Sequence, residues 1–286
     1  MFDPRYHAAS LVAVLVALVL GLLLGVAIGD SGLVSSAERK VRDSLRQDVR
    51  DAQQKSDSLE AQLQAQQRYA TASYPLLVDG RLDGLDVGLV FLGDPSEAIT
   101  EDVRSALQGT GGQLTGIVSV RLPPDLEAIA GSATGRFRRI DSNPRLLSPF
   151  GRRVGGQLVL GGGLLRREAD ALFSERAGKL GGYEAVIVAR RPESLEGDAE
   201  TNSVRLENSL VAGIVGTGVP AVGVEPSGSD PSQAEWYRSR GLSSVDDIDI
   251  TAGQAALVFA LGGAKGSFGT GPQAGSLLPG PEAVRR

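Results

Sequence analysis

Carboxylates are the side chains with which this sequence could do the most chemistry. Asp246, Asp247 and Asp249 fall in the run Ser243-Ser244-Val245-Asp246-Asp247-Ile248-Asp249, a spacing that offers oxygen donors to a hard cation such as Ca2+. The same three residues precede a helical pattern that begins at Thr251. There they would cap and solvate a strand-to-helix turn, where the helix dipole favours negative charge. Both readings stand at this point, and the second asks less of the sequence.

Other chemistries are excluded by composition. The chain has no cysteine, 1 methionine and 1 histidine, His7, which sits beside a long apolar run at the N-terminus. Downstream of that run neither a Ser-His-Asp triad nor a histidine-ligated zinc can be assembled. Thiolate nucleophiles and thiolate metal sites are absent as well. Lys40, Lys55, Lys179 and Lys265 have no serine three residues before them, so no Ser-x-x-Lys arrangement exists. The chain is expected not to be an enzyme and to carry no cofactor.

Two glycine-rich turns stand where phosphate loops could form. Gly93-Asp94-Pro95 follows an apolar run but places an acid where a pyrophosphate needs bare amides, without a G-x-G-x-x-G spacing. Gly161-Gly162-Gly163 precedes Arg166 and Arg167 and could cradle an anion, or could simply be a loop or a close helix approach. Net charge is −5 and the arginines are scattered, so nucleic acid is not an expected partner. Arg136, Arg138, Arg139, Arg145, Arg152 and Arg153 do form a local basic stretch, interrupted by Pro144 and Pro149. It reads as an exposed irregular loop and as the place where an anionic surface or acidic partner would bind.

The elements that must position these residues alternate. Asp86–Leu92, Leu114–Val120, Glu184–Ala189 and Val219–Glu225 are short β-branched runs between glycine-rich turns. Glu97–Gln108, Asn202–Val215 and Thr251–Leu261 carry helical spacing. Asp94 with Glu97, and Thr251 with Gln254, occupy capping-box positions. Continuous apolar strands alternating with helices predict an α/β, Rossmann-like layered domain with a mainly parallel sheet over residues 74–262. A flexible Gly/Pro-rich tail over 263–286 is expected to follow.

Upstream of that domain the pattern changes twice. Residues 31–73 contain Val41, Leu45, Val49, Ala52, Leu59 and Leu63 at steps of threes and fours, the seam of a coiled coil, although Ser56 and Gln66 weaken it. A solvated spacer helix is the alternative. Residues 1–30 hold an uncharged run from Ala8 to Gly29, roughly 33 Å of helix against a hydrocarbon core of about 30 Å. An uncleaved signal anchor fits better than a cleaved signal peptide, because the apolar core is longer and its start barely basic. Ala13, Ala17, Gly21, Gly25 and Gly29 recur every four residues, a row of small side chains that favours close helix pairing. The expected partners are therefore the membrane and either a second copy or another protein, joined through the anchor and the coiled coil. Charge around the span leaves its orientation open.

This layout resembles the actinobacterial MctB family, named for mycobacterial copper transport protein B. The resemblance is carried by Arg5-Tyr6-His7-Ala8-Ala9-Ser10-Leu11 entering an anchor with Gly21 and Gly25, and by the coiled coil that follows. It continues through the Val-Asp-Asp-Ile-Asp turn before Gly253-Gln254, then Gly266-Ser267-Phe268-Gly269 and Leu277-Leu278-Pro279. Two positions depart from it: Asp247 stands where many relatives would have Asn, and Ser267-Phe268 replaces a His-Tyr type pair. The resemblance implies a single-pass cell-membrane protein with an extracytoplasmic C-terminal domain and a role in copper homeostasis or export. Copper(I) selects thiolate and thioether ligands and copper(II) selects imidazole, so this composition points to a non-catalytic scaffold rather than direct copper handling. A SteB-like branch of the same family implies an alternative, control of cell separation and peptidoglycan hydrolysis through a membrane partner. A small-ligand or Ca2+ receptor domain is the third reading.

Overall fold

The computed structural model describes residues 4–29 and 33–280. The chain divides into two compact units, Met1–Gln66 and Gln67–Arg286. The first contains α1 (Pro4–Gly29) and most of α2 (Leu33–Val78). One uninterrupted helix thus covers the stretch expected to form a coiled coil and runs on through Pro75. Its last turns belong to the second unit. There Tyr74 Oη donates to the Ala106 carbonyl at 2.6 Å and Val78 is fully buried.

The second unit is built on a seven-stranded sheet. Its strands are β1 (Asp86–Leu92), β2 (Gln113–Val120), β3 (Phe173–Gly178), β4 (Ala185–Arg190), β5 (Ala221–Val224), β6 (Ser243–Val245) and β7 (Ser267–Phe268). The spatial order is β3-β2-β1-β4-β5-β6-β7. Every neighbouring pair is parallel except β2 with β3. In register, Leu89 of β1 lies between Ile117 of β2 and Ile187 of β4. The chain steps outward from β1 to β2 and later returns to the far side of β1 as β4. That reversal is the switch point of a doubly wound α/β sheet, and the mixed α/β class read from the sequence is the observed one.

Strand alternation feeds two cores. Val87, Leu89 and Phe91 face one side of the sheet, where they pack with Ile99 and Val103 of α3 (Glu97–Leu107) and Leu257 of α9 (Thr251–Leu261). Val90 and Leu92 face the other, with α4 (Leu126–Ser132), α5 (Leu147–Leu160), α6 (Gly163–Leu172) and α7 (Gly197–Val215). Strands covered on both faces have no polar side to alternate with, hence their continuous apolar sequence.

Several local expectations are corrected. The basic stretch is not an irregular loop: it carries two 3-10 turns, Gly135–Arg139 and Pro144–Leu146, and the start of α5. Phe137, Ile140, Leu147 and Phe150 are buried between its arginines, and that apolar spacing gives it order. Within α5, Gly155 approaches α7 so closely that a Cβ there would lie 2.0 Å from the Leu210 carbonyl oxygen. The N-cap of α3 is Ser96, whose hydroxyl accepts from the Ile99 amide, rather than Asp94. Helix α9 begins after Ile250 with no side-chain cap. Thr251 is already its first helical residue, so its hydroxyl cannot take the N-cap role. The segment from Gly263, expected to be a flexible tail, instead carries β7, with Phe268 buried against the second core.

Candidate functional site

The carboxyl ends of parallel strands at a switch point form a ligand crevice in α/β folds. Here a cavity of about 230 Å3 opens there, lined in part by Leu122, Arg190, Arg191, Glu193, Ser203 and Glu207. Arg190 ends β4. Its Nε lies 3.1 and 3.2 Å from the Glu207 carboxylate oxygens, its Nη2 3.0 Å from Oε2, and its Nη1 2.6 Å from Gln233 Oε1. Its guanidinium carbon sits 4.7 Å from the centre of the Trp236 ring, and Arg240 stacks on that ring at 4.0 Å. Glu207 is almost completely buried. Burial pushes its carboxyl up, and the hydrogen bond and charge of Arg190 offset part of that.

All three Arg190 nitrogens are thus committed to the protein itself. They join β4 to α7 and to α8 (Ala234–Arg238), and a buried pair of this kind fixes neighbouring elements more than it adds net stability. Tyr237 completes the junction. Its ring lies where a side chain on Gly223 would be, its hydroxyl donates to Val224 O at 3.1 Å, and it accepts from Arg190 N at 2.8 Å. The β1 turn is closed in the same way. Arg191 N donates to Leu92 O, and Arg191 Nη1 to Pro95 O, both at 3.0 Å. Gly93 has φ +101°, with the Arg191 carbonyl oxygen 2.7 Å from where a Cβ would stand. Backbone that would cradle a phosphate is occupied by the next strand's exit.

The three aspartates lie beyond β6 and diverge, two of them to different partners. Asp246 accepts from the Thr270 and Gly271 amides, both at 3.1 Å, tying down the turn after β7. Asp249 accepts from the Ser227 amide at 2.6 Å and hydroxyl at 2.5 Å. Asp247 is 0% exposed and neither of its oxygens has a hydrogen-bond partner. Burial first, then the charges of Asp246 and Asp249, push its carboxyl up to about 6, while nearby Thr270 offsets part of the effect. Glu225, at the end of β5, accepts from Ser232 Oγ and Gln233 N at 2.5 Å. Among the described residues no group of three His, Cys, Asp or Glu side chains is placed to hold a metal ion. The run acts as a set of loop staples around one strained acid.

In the first unit the expected pairing residues stand on bare helices. Residues 7–26 of α1 form an apolar span of mean hydropathy 2.9. Ala13, Ala17, Gly21, Gly25 and Gly29 fall at steps of four along α1, and Gly29 closes it with surroundings outside the described residues. A Cβ built on Gly21 or Gly25 meets nothing within 4 Å. On α2, Val41, Leu45, Val49, Leu59 and Leu63 are each more than half exposed, and Ala52 is exposed too. His7 is exposed at the start of the span, and Met1 lies outside the described residues.

Sequence reasoning did not find the Arg190–Glu207–Trp236 junction or the α5–α7 contact. The signals were an Arg-Arg pair directly after Glu184–Ala189, the single tryptophan, and the four-residue spacing of Gly151 and Gly155. No curated protein matches this chain. A family model described as "Copper transport outer membrane protein, MctB" matches residues 1–122 and 167–279, most of the chain.

Proposed function

This chain belongs to the MctB family, and we propose that it serves copper homeostasis as a membrane-anchored, non-catalytic scaffold. In this reading α1 crosses the cell membrane once, the C-terminal domain is extracytoplasmic, and α2 pairs with a second copy or with a partner's helix. The observation that carries it is donor poverty. The sequence offers copper no thiolate, one thioether at Met1 and one imidazole at His7, whereas copper is selected by sulfur and imidazole ligands. Copper, as cargo, would therefore be held by other subunits.

A pore built from this chain's own strands is disfavoured. Transmembrane barrels use antiparallel strands of about 9–11 residues, while the longest strand here has 8 residues in a mainly parallel sheet. A single apolar helix lines a pore only as an oligomer. The exposed rows on α1 and α2 support such assembly, and they equally favour a second reading, a SteB-like partner in cell separation. A small-ligand receptor is less supported, since the arginines that line the switch-point crevice are already engaged by the protein: Arg190 by Glu207 and Gln233, Arg191 by the Leu92 and Pro95 carbonyls.

Cell-associated copper separates the readings. A strain lacking the protein, grown with added copper, is expected to accumulate more than its parent, and the intact gene and a His7→Ala gene are both expected to reverse the rise. Failure of His7→Ala to restore export would show direct ligation. Unchanged copper in the deletion strain would transfer the function to cell separation.

A further inference from the structure

A second cavity, of about 420 Å3, opens away from the switch point where the first 3-10 turn, α5 and α6 meet. Arg136 of the turn, Arg153 of α5 and Arg167 of α6 line it together with Thr134, Gln157 and Gly163. No carboxylate is among the described residues of its wall. Among the described residues none of the three arginines makes a salt bridge: Arg167 Nη2 lies 3.5 Å from Thr134 Oγ1, and Arg136 lies 5.1 Å from the centre of the Phe137 ring.

The acid nearest in sequence, Glu168, is fully buried and turned away, accepting from Ser132 Oγ at 2.6 Å. Burial pushes its carboxyl up, and the Ser132 hydrogen bond and the Arg167 charge offset part of that. Gly163 opens the ten-residue helix α6, whose N-terminal end adds positive potential. Gln157 Oε1 accepts from the Leu165 amide at 2.9 Å and fixes that end. Gly162 lies against the same side chain, where a Cβ would stand 2.1 Å from Gln157 Cδ. Arg136, Arg153 and Arg167 are exposed.

We propose that this cavity binds a phosphate-type oxyanion, held between the guanidinium groups of Arg136, Arg153 and Arg167. Three like charges on one wall repel one another, and a dianion relieves all three at once. Guanidinium forks match tetrahedral oxyanions with paired N–H donors, which a single carboxylate cannot satisfy three times over. The volume accommodates a phosphomonoester with an attached group, so the same chemistry is met by a soluble phosphate or by an anionic lipid headgroup. Arg136 and Arg153 lie in residues 123–166, outside the segments that the family model matches, and Arg167 is the first residue of the second matched segment.

The test uses the full chain in phosphatidylcholine nanodiscs, titrated calorimetrically with inorganic phosphate at constant ionic strength. Saturable binding is expected, and Arg153→Gln or Arg167→Gln should each weaken it roughly tenfold by removing one charge-assisted contact. Arg152→Gln, one residue from Arg153 but outside the cavity, should leave it unchanged. Arg153→Lys, which keeps the charge, should retain part of the affinity, and the thermal midpoints of all variants check that folding is intact. Phosphatidylglycerol vesicles that displace bound phosphate would identify a lipid headgroup as the source, and phosphate binding undisturbed by vesicles would identify a soluble one. No saturable phosphate binding, or equal binding by the Arg153→Gln/Arg167→Gln double variant, overturns the proposal.

Discussion

Among the described helices, two carry glycines at four-residue spacing, α1 and α5, and their surroundings are opposite. Gly21 and Gly25 of α1 face nothing within 4 Å, whereas Gly151 and Gly155 of α5 are pressed against α7. A Cβ on Gly151 would lie 2.2 Å from Ser209 Oγ, one on Gly155 2.0 Å from Leu210 O, and one on the facing Gly213 2.1 Å from Arg152 O. In α5 this spacing lets two helix backbones approach closely. In the domain the second helix is supplied by the chain itself. On α1 the described residues leave the row open, so a partner must come from outside or the row is idle.

The largest effect should come from filling the closed row. Gly155→Leu is expected to abolish folding of the domain. Gly155→Ala should cost about 3 kcal/mol through overpacking, roughly 6–12 °C in midpoint for a domain of this size. Thermal unfolding of the purified variants measures it, and an unchanged midpoint would break the comparison at its closed end. At the open end, Gly21→Leu with Gly25→Leu should leave domain unfolding untouched while lowering self-association in a membrane two-hybrid assay about tenfold. An undiminished signal there would make the row incidental.

A charged break in the exposed α2 seam comes next. Leu59→Lys with Leu63→Lys should abolish co-purification of two differently tagged copies, again without moving the domain's midpoint. Intact co-purification would identify α2 as a solvated spacer.

The smallest effect sharpens a third close approach, where glycine meets a carboxylate as well as backbone. Gly253 would place a Cβ 2.3 Å from Asp247 Oδ1, and Gly269 one 3.2 Å from it, so Asp247 is sealed in without partners. Its carboxyl, ordinarily near 3.8, is raised to about 6 in the folded chain. The native state therefore holds the proton more tightly than the unfolded state. Stability from this group is complete below about pH 4 and is lost as pH rises through about 6. Asp247→Asn should add on the order of 1–3 kcal/mol above pH 7 and nothing at pH 4, read as the midpoint difference between the two pH values. A gain independent of pH would show that charge burial is not its origin.

Much of the fold was legible in the chain. Asp86–Leu92 and Thr251–Leu261 were read with the bounds that the structure has, because both are apolar runs ended by glycine or polar turns. Residues 147–160 were not read as a helix. Its arginines and glycines hide the apolar stripe of Leu147, Phe150, Val154 and Leu158, and glycine weighs against helix until the helix it serves is seen. The tail misled for a related reason. Phe268 gains its strand only because β6 offers an open edge at Ser244 and Val245, which no local pattern announces. The aspartate run was visible as a cluster, yet its three members diverge to Thr270, Ser227 and an empty interior.

The sequence alone determined what this protein has to work with: an apolar span, a helix with an exposed seam, alternating apolar strands and helices, and almost no ligands for copper. Those follow from composition and period, which act locally. The tertiary structure decided which groups are spent and which remain available. Arg190 and Arg191 are engaged by partners at the edge of the switch-point crevice, Asp247 is buried beside two glycines, and Arg136, Arg153 and Arg167 are brought to one wall from three elements. Such outcomes depend on contacts between residues far apart in the chain, where close packing and the cost of burying unpaired charge act on neighbours the sequence does not place side by side.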